Sequence, residues 1–426
     1  MSASLYRLAI AQLQDDGFPA AAQHVAAATR TPAPSNLPAQ PLLQAINGKR
    51  DGLLGFDDVG QYRMRCAVGP LGPTPTARFS RDGRHIAIGT CDGVVHVFET
   101  EVLLLARGGS LSAESALRRY TDHADAINDV DFHPSSPMLV SASEDATLQF
   151  YDVAGGRLAP ARTCTDTHPA RSASFHPRGD HLLVGTTHAA LHLYDMATFR
   201  CFLSADPSHH HRAAIADARW ASDGSLFASC AASEVKLWDG QNCACVATLS
   251  RPHGGTPVGS VTFSKSGRYL LTSGADSAVK LWDVRAVRAS AAAEAGGRVV
   301  PSPVRTYEGG GCASAKRVAC FSQDEGLVLG ADELTSAALV WPATLGSAAA
   351  DPHAGGGMGT TGGGGAAVVT NGDDDGGEGD GGIASAVDAV AKCSGHTKAI
   401  RCLAHAPAAP VFVSSAEDGV VRLWAQ

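Results

Sequence analysis

Leu193-Tyr194-Asp195, Leu237-Trp238-Asp239 and Leu281-Trp282-Asp283 close three successive copies of one unit. The same ending, worn to different degrees, stands at Val97-Phe98-Glu99, Phe150-Tyr151-Asp152, Val340-Trp341-Pro342 and Leu423-Trp424-Ala425, so the unit recurs seven times. The central copies follow one another at about 40 to 45 residues, the length of a four-stranded sheet that stacks radially on its neighbours. The chain reads as a closed array of repeats before any single residue is assigned a task.

Working outward from each ending, the same grammar returns. Turns of the type Phe79-Ser80-Arg81-Asp82-Gly83, Phe132-His133-Pro134, Phe175-His176-Pro177-Arg178-Gly179-Asp180 and Phe263-Ser264-Lys265-Ser266-Gly267 supply the Pro, Gly and Asp of a tight reversal. An apolar, β-branched run follows, then a second turn holding Asp92, Asp145, Asp276 or Asp418, each six residues before its aromatic. His123, His210, His253 and His396 stand twenty-eight or twenty-nine residues before Tyr151, Trp238, Trp282 and Trp424. In each unit the imidazole, a strand hydroxyl, the acid and the aromatic can form one buried hydrogen-bonded network. These residues resemble the structural tetrad of WD40 repeats, which implies a mainly β fold, a seven-bladed WD40 β-propeller over residues 61–426. Blade four, with Ala231-Ala232-Ser233-Glu234, and blade six, with Thr335, lack an aspartate in register and are expected to be the less rigid ones.

Ring closure is expected from the alternating segment at residues 61–68, since Trp424 sits on the third strand of the last blade and only two residues follow it. Pairing first strand with last removes an edge that would invite aggregation. Composition fits: 44% hydrophobic and 18% charged residues describe an ordinary soluble globular chain. No apolar stretch is long enough to span a bilayer, and Arg7 and Gln12 interrupt Met1 to Leu13, unlike a secretory leader. Eleven scattered cysteines without C-x-x-C spacing point to reduced thiols. Of the net charge of −8, Asp373, Asp374, Asp375, Glu378 and Asp380 supply five, inside a Gly/Ala/acidic insertion at about residues 346–382 that cannot repay the entropy of ordering. The remainder is near neutral, which argues against a strong nucleic-acid or membrane-binding field.

The first 48 residues differ in kind. Leu5, Leu8, Ala9 and Leu13 recur at helical spacing, Asp15-Asp16-Gly17-Phe18 interrupts them, and a second, alanine-rich helix is expected from about Pro19. Helices this short bury too little alone, so self-association through Leu5, Leu8, Leu13, Phe18 and Val25 is expected; the alternative is a helical hairpin packed on its own propeller. The string resembles LisH-type dimerisation motifs, which implies a homodimer, with residues 49–60 as linker. Together with Phe175-His176-Pro177-x-Gly179-Asp180-x-Leu182-Leu183-Val184-Gly185-Thr186-x-His188 and Thr198-Phe199-x-Cys201-Phe202, it resembles the WD-repeat subunits (50 kDa class) of cleavage stimulation factor over nearly the whole chain. That resemblance implies a nuclear, non-catalytic scaffold in pre-mRNA 3'-end cleavage and polyadenylation, with no cofactor. It further implies docking on the larger helical-repeat subunit of the factor, contact with other 3'-end processing factors and the RNA polymerase II tail, and indirect or weak RNA contact. Two rival classes stand beside it: a LisH-WD40 adaptor of another complex, such as a ubiquitin-ligase substrate receptor or a cytoskeletal regulator, and a propeller enzyme with a site in its channel.

Three chemical candidates are weak. His209-His210-His211 lacks a cysteine or carboxylate at ligand spacing, so a tetrad histidine with solvated neighbours is the better reading than a metal site. Cys243-Ala244-Cys245 puts two thiols on one strand face, where apolar burial is the expected role. No nucleophile with a positioned base is visible. Arg171, Arg317 and Arg401, by contrast, occupy one register, four residues before Phe175, Phe321 and His405, at the channel rim. They form either a cationic docking site for an acidic or phosphorylated partner segment or plain pairs with neighbouring loop carboxylates. Because closure entropy grows slowly with loop length, deletion of Gly355 to Gly382 is expected to leave the melting temperature within a few degrees of the parent; a larger drop in a thermal scan contradicts the insertion reading.

Overall fold

A computed structural model describes residues 62–106, 109–203, 206–293, 301–311, 318–343 and 386–426. The expected helical module at 1–48, its candidates Leu5, Leu8, Leu13, Phe18 and Val25, the linker 49–60, Arg317 and the tract 346–382 lie outside these residues. All described residues belong to one compact unit, Tyr62–Gln426.

Seven antiparallel sheets make up that unit, one for each aromatic ending. Blade two shows the pattern: an innermost strand Ile127–Phe132, then Met138–Ser143, then Thr147–Asp152, then an outermost strand Arg162–Thr165, each hydrogen-bonded to the next. The innermost strands of the other blades are Thr76–Phe79, Ala170–Phe175, Ile215–Trp220, Val258–Phe263, Cys320–Phe321 and Ile400–His405. Blade seven takes its fourth strand from the other end of the chain: Arg63–Val68 pairs antiparallel with Val421–Ala425, Met64 opposite Trp424 and Val68 opposite Val421. Two short strands extend outer edges in parallel, Ser110–Leu111 beside Ala67 and Val68 on blade seven, and Ala386–Val387 beside Thr306 and Tyr307 on blade five.

The apolar residues are distributed between blades rather than gathered in one centre. A cluster of Val95, Val97 and Tyr120 from blade one with Ile127, Val130 and Tyr151 from blade two is repeated at the next three boundaries round the ring, between blades five and six, and again where blade seven meets blade one. This is why second strands such as Leu226–Ala231 and Tyr269–Gly274 are buried along their whole length: both faces meet a neighbouring sheet. Each boundary holds large rings. Tyr120 and Tyr151 stack with centroids 4.0 Å apart, and Trp341 is 1% exposed in the boundary of blades five and six. Truncating such an aromatic to alanine costs about 3–5 kcal/mol, part of it for the cavity left behind. The helix Val284–Ala293, whose first amides are met by Asp283, fills the outer end of the blade four to five boundary with Val284 and Val287.

Closure by Arg63–Val68 buries Cys66 and Val68 in the blade seven to one cluster and satisfies the edge of Val421–Ala425. A chain lacking residues 62–68 is therefore expected to melt lower and to aggregate more readily than the parent, measured by thermal scanning with light scattering; an unchanged melting point would show that the strand contributes little.

Candidate functional site: the tetrads, the channel and its rim

Three blades carry one complete hydrogen-bonded chain. In blade five, His253 Nδ1 lies 2.7 Å from Asp276, His253 Nε2 lies 2.8 Å from Thr272 Oγ1, and the Trp282 indole N–H donates to the same oxygen at 2.9 Å. Blade seven repeats it with His396, Asp418, Ser414 and Trp424 at 3.0, 2.7 and 2.8 Å. In blade five every donor has a destination if the histidine is neutral with its proton on Nδ1: indole to hydroxyl, hydroxyl to Nε2, Nδ1–H to carboxylate; in blade seven Arg422 Nη1 also lies 2.7 Å from His396 Nδ1 and 3.3 Å from Asp418. Burial favours that neutral form, and it holds His123, His211 and His396 below the ordinary histidine value against the pull of the neighbouring acid. Gly274 is required beside this chain, because a Cβ there would run into the His253 ring.

Blade four is the third, and it corrects the sequence reading twice. The tetrad histidine is His211, not His210: His211 Nδ1 meets Glu234 at 2.7 Å, its Nε2 meets Ser229 at 2.6 Å, and Trp238 donates to Ser229 at 2.8 Å. His210 instead offers its backbone carbonyl to Lys236 Nζ at 2.9 Å. The cause is the preceding hairpin. Ala231 pairs directly with Glu234, leaving a two-residue turn with Ala232 at φ 45, so the spacing from histidine to tryptophan contracts by one. The acid is present after all, as a glutamate, whose longer side chain reaches the imidazole from the strand.

Elsewhere the network departs from the pattern. Blade two joins His123 to Asp145 at 2.8 Å and to Ser141 at 2.6 Å, but its Tyr151 hydroxyl donates to Gln149 at 2.6 Å. In blade one Asp92 is exposed, Phe98 has no polar atom, and His96 is buried and pushed down to about 4 by desolvation. Blade six uses Asp332, three residues before the expected Thr335, to accept from Gly311, Leu334 and Thr335, while Trp341 donates to the Glu308 carbonyl at 3.1 Å. Blade three is arranged differently. Asp166 stands in the histidine register and takes His192 Nδ1 and the Tyr194 hydroxyl, each at 2.6 Å.

The channel wall carries a charge cluster that sequence reading missed. Arg219 on the innermost strand of blade four reaches Asp129 of blade two at 2.6 Å and Asp217 at 3.0 Å, and donates to the Ala173 carbonyl of blade three at 2.9 Å. Arg78 of blade one approaches Asp129 from the other side at 3.8 Å, and Thr76 donates to it at 3.1 Å. Asp131, enclosed by the ring, is pushed up to about 6 by burial, with the Phe175 amide and both arginines opposing the rise. One signal was available: Asp129-x-Asp131 and Asp217-x-Arg219 are charged residues at alternate positions of strands that must face a channel. At the mouth where the first turns of the blades meet, a cavity of about 290 Å³ is lined by Arg81, Lys265, Glu325 and His405, and Lys265 Nζ ties the Gln323 and Pro407 carbonyls at 3.0 and 3.1 Å.

On the opposite rim, Arg401 is held by Glu417 and, at 2.9 Å, by Glu333, and Arg171 lies 3.8 Å from Glu144. Arg401 is thus paired with loop carboxylates of the same face, and Arg171 lies beside one while staying largely exposed. Cys243 and Cys245 also depart from expectation: Cys243 sits in a turn with φ 55, Cys245 begins the strand, and both are only half-buried. Among the described residues no three His, Cys, Asp or Glu side chains are placed to hold a metal ion.

The WD domain, G-beta repeat model matches residues 114–152, 204–239, 243–283 and 388–425. Cleavage stimulation factor subunit 50 of Arabidopsis thaliana is 32% identical over 201 residues, 46% of this chain and 47% of that protein. The U5 small nuclear ribonucleoprotein 40 kDa protein of Homo sapiens is 33% identical over 75 residues, 18% of each. The chain thus spans about half the length of the first relative and less of the second. The β-propeller domain of Myceliophteria thermophila Cps50 (Swd1) superimposes with a TM-score of 0.61 at 14% identity, covering 86% of this chain and 99% of that one, which shows the fold. The chain carries WD40 repeats arranged as a seven-bladed propeller.

Removing the central cation of the channel cluster strands two buried carboxylates, an error that costs about 3–5 kcal/mol. Arg219→Ala is expected to destabilise the propeller by that amount in denaturant titration, and Arg401→Ala, at the more open rim, by less; equal losses would show that the channel pairs contribute nothing special.

Proposed function

We propose that this chain is a non-catalytic scaffold subunit of a pre-mRNA 3'-end processing complex, acting as cleavage stimulation factor subunit 50 does in its own complex. The observation that carries the reading is the 32% identity to that subunit over 201 residues. Similarity to the U5 small nuclear ribonucleoprotein 40 kDa protein and to pre-mRNA-processing factor 19 of Oryza sativa points to the same broad setting, nuclear assemblies on pre-mRNA. The geometry supports a scaffold in a different way. The channel residues Asp129 and Asp217 are ion-paired with Arg219, and the tetrad histidines are buried with both ring nitrogens occupied, so the chemistry open to a partner lies in the loops and outer strands.

In this reading the segment before residue 61 makes the homodimer, the propeller docks on the larger helical-repeat subunit, and RNA is recognised through the assembled partners. The alternative, a LisH-WD40 adaptor of a ubiquitin ligase, has the same architecture and a different set of companions. Affinity purification of the tagged chain from nuclear extract, with quantitative mass spectrometry, separates them. Enrichment of the helical-repeat subunit and other 3'-end processing factors is expected, whereas enrichment of a ligase scaffold in their place overturns the proposal. Leu8→Asp with Leu13→Asp is expected to convert the purified dimer to a monomer by light scattering while the propeller still melts cooperatively.

A further inference from the structure

The chain closes several of its apolar boundaries at their outer ends. Leu111 of the added strand Ser110–Leu111 packs on the blade seven to one cluster, and Val387 of Ala386–Val387 packs on the blade five to six cluster. The helix Val284–Ala293 serves the blade four to five boundary, and Phe199, with the Arg162 guanidinium 4.1 Å above its ring, serves that of blades two and three. Between blades three and four a cleft of about 30 Å³ stays open, lined by Leu191, Leu193, Phe202, Phe227, Trp238 and Cys243. Its rim is the outermost strand of blade three, Cys201–Leu203, exposed at all three residues, Phe202 to 51% and Leu203 to 54%.

We propose that this edge takes an extended segment of a partner protein, acidic and apolar in sequence, as a fifth strand of blade three running parallel to Cys201–Leu203. The backbone is arranged for it. Leu193 lies opposite Phe202, and the Asp195 amide donates to the Arg200 carbonyl at 3.0 Å. In antiparallel alternation Arg200 and Phe202 therefore direct their backbone groups inward, and the N–H groups of Cys201 and Leu203 point to the open side. Two outward amides at this spacing are what blade seven uses: those of Ala67 and Gly69 donate to the Gly109 and Leu111 carbonyls at 3.2 and 3.0 Å.

The side chains fit the same pattern. Leu111 aligns with Val68 and Val387 with Tyr307, each on the face that meets the following blade. The equivalent place here is beside Phe202, which shares the face of Leu193 toward blade four. A branched apolar side chain there closes the cleft, and an acid two residues before it meets Arg200, exposed at the head of the strand. Other outer edges are guarded differently. Arg118–Tyr120, Arg162–Thr165 and Ala391–Ser394 carry Arg119, Arg162 and Lys392, and Cys245–Ser250 shows Thr248 and Ser250, whereas the blade three edge presents phenylalanine and leucine where charge discourages strand addition. The inference holds whichever complex the chain serves.

A random peptide library displayed on phage is selected on the purified full-length chain, and the enriched peptides are synthesised. They are expected to carry an acid two places before Val, Ile or Leu, and to slow hydrogen exchange at the amides of Cys201 and Leu203. Phe202→Lys removes the apolar edge; Cys201→Pro removes one outward N–H and leaves Phe202 and Leu203 in place. Each should weaken binding roughly tenfold with the melting temperature unchanged. No enriched sequence, binding that neither variant weakens, or binding weakened by Phe202→Lys alone overturns strand addition. If Phe202→Lys instead lowers the oligomeric state of the chain in light scattering, the edge is a contact between copies and the proposal fails. Should Cys201→Pro not fold, exchange at the two amides of the parent decides, and rates unchanged by the peptide overturn the proposal.

Discussion

A buried imidazole with nowhere to send its proton would undo this fold, and the tetrad exists to prevent that. In blades four, five and seven each polar hydrogen from tryptophan to carboxylate has an acceptor, and the chain joins the loop before a blade to its second and third strands and the turn between them. The arrangement works only with neutral histidine, because Nε2 must accept. For His211 and His396 burial supplies that condition by disfavouring the cation, while the acid at Nδ1 selects the tautomer. Each of these three blades is thereby tied together internally, and the apolar clusters between blades are built largely from Val, Leu and Ala.

The repeats matched by the WD domain model coincide with this chemistry. Residues 114–152, 204–239, 243–283 and 388–425 are blades two, four, five and seven, the four with a histidine on an acid and a hydroxyl. Blades one, three and six lack the pattern, and other bonds serve there. The Arg219 cluster laces the inner strands of blades one to four, so blade one is held from the channel side by the Arg78–Asp129 pair and blade three by hydrogen bonds of the Ala173 backbone to Arg219 and Asp129. Blade six is bound to blade seven through Glu333 and Arg401. Loss of internal hydrogen bonds within a blade is offset by charge pairing between blades, which is permissible in a ring because no blade can move without both neighbours.

The number of blades was legible in the sequence, since the aromatic endings recur at a fixed period and no other architecture uses that period seven times. The pairs of His123 with Asp145, His253 with Asp276, and His396 with Asp418 were legible for the same reason. Spacing failed at blade four, where the hairpin between Ala231 and Glu234 is shorter and three consecutive histidines offered no local basis for choice. It failed at blade three because Asp166 stands where the other blades have histidine, and the imidazole it binds, His192, lies two residues before the aromatic rather than six, so neither register finds its usual residue. The channel cluster escaped for a deeper reason. Asp129 and Arg219 lie ninety residues apart in sequence and meet only because a closed ring faces their strands inward.

The acidic, glycine-rich tract interrupts blade six between its third and fourth strands, and the described residues on its far side show how that is tolerated. Ala386–Val387 is pinned to the outer edge of blade five, and Ala391–Ser394 then pairs with Ala337 to Val340 of blade six. Two independent strand pairings thus re-establish register after the interruption, one on each blade, so the sheet does not depend on the length or composition of what lies between. Because the entropy of closing a loop rises only logarithmically with its length, residues added there are expected to cost the propeller little. Function in this chain is therefore expected where the ring is least constrained, at the outer strands and loops, while the tetrads and the channel ion pairs hold the frame.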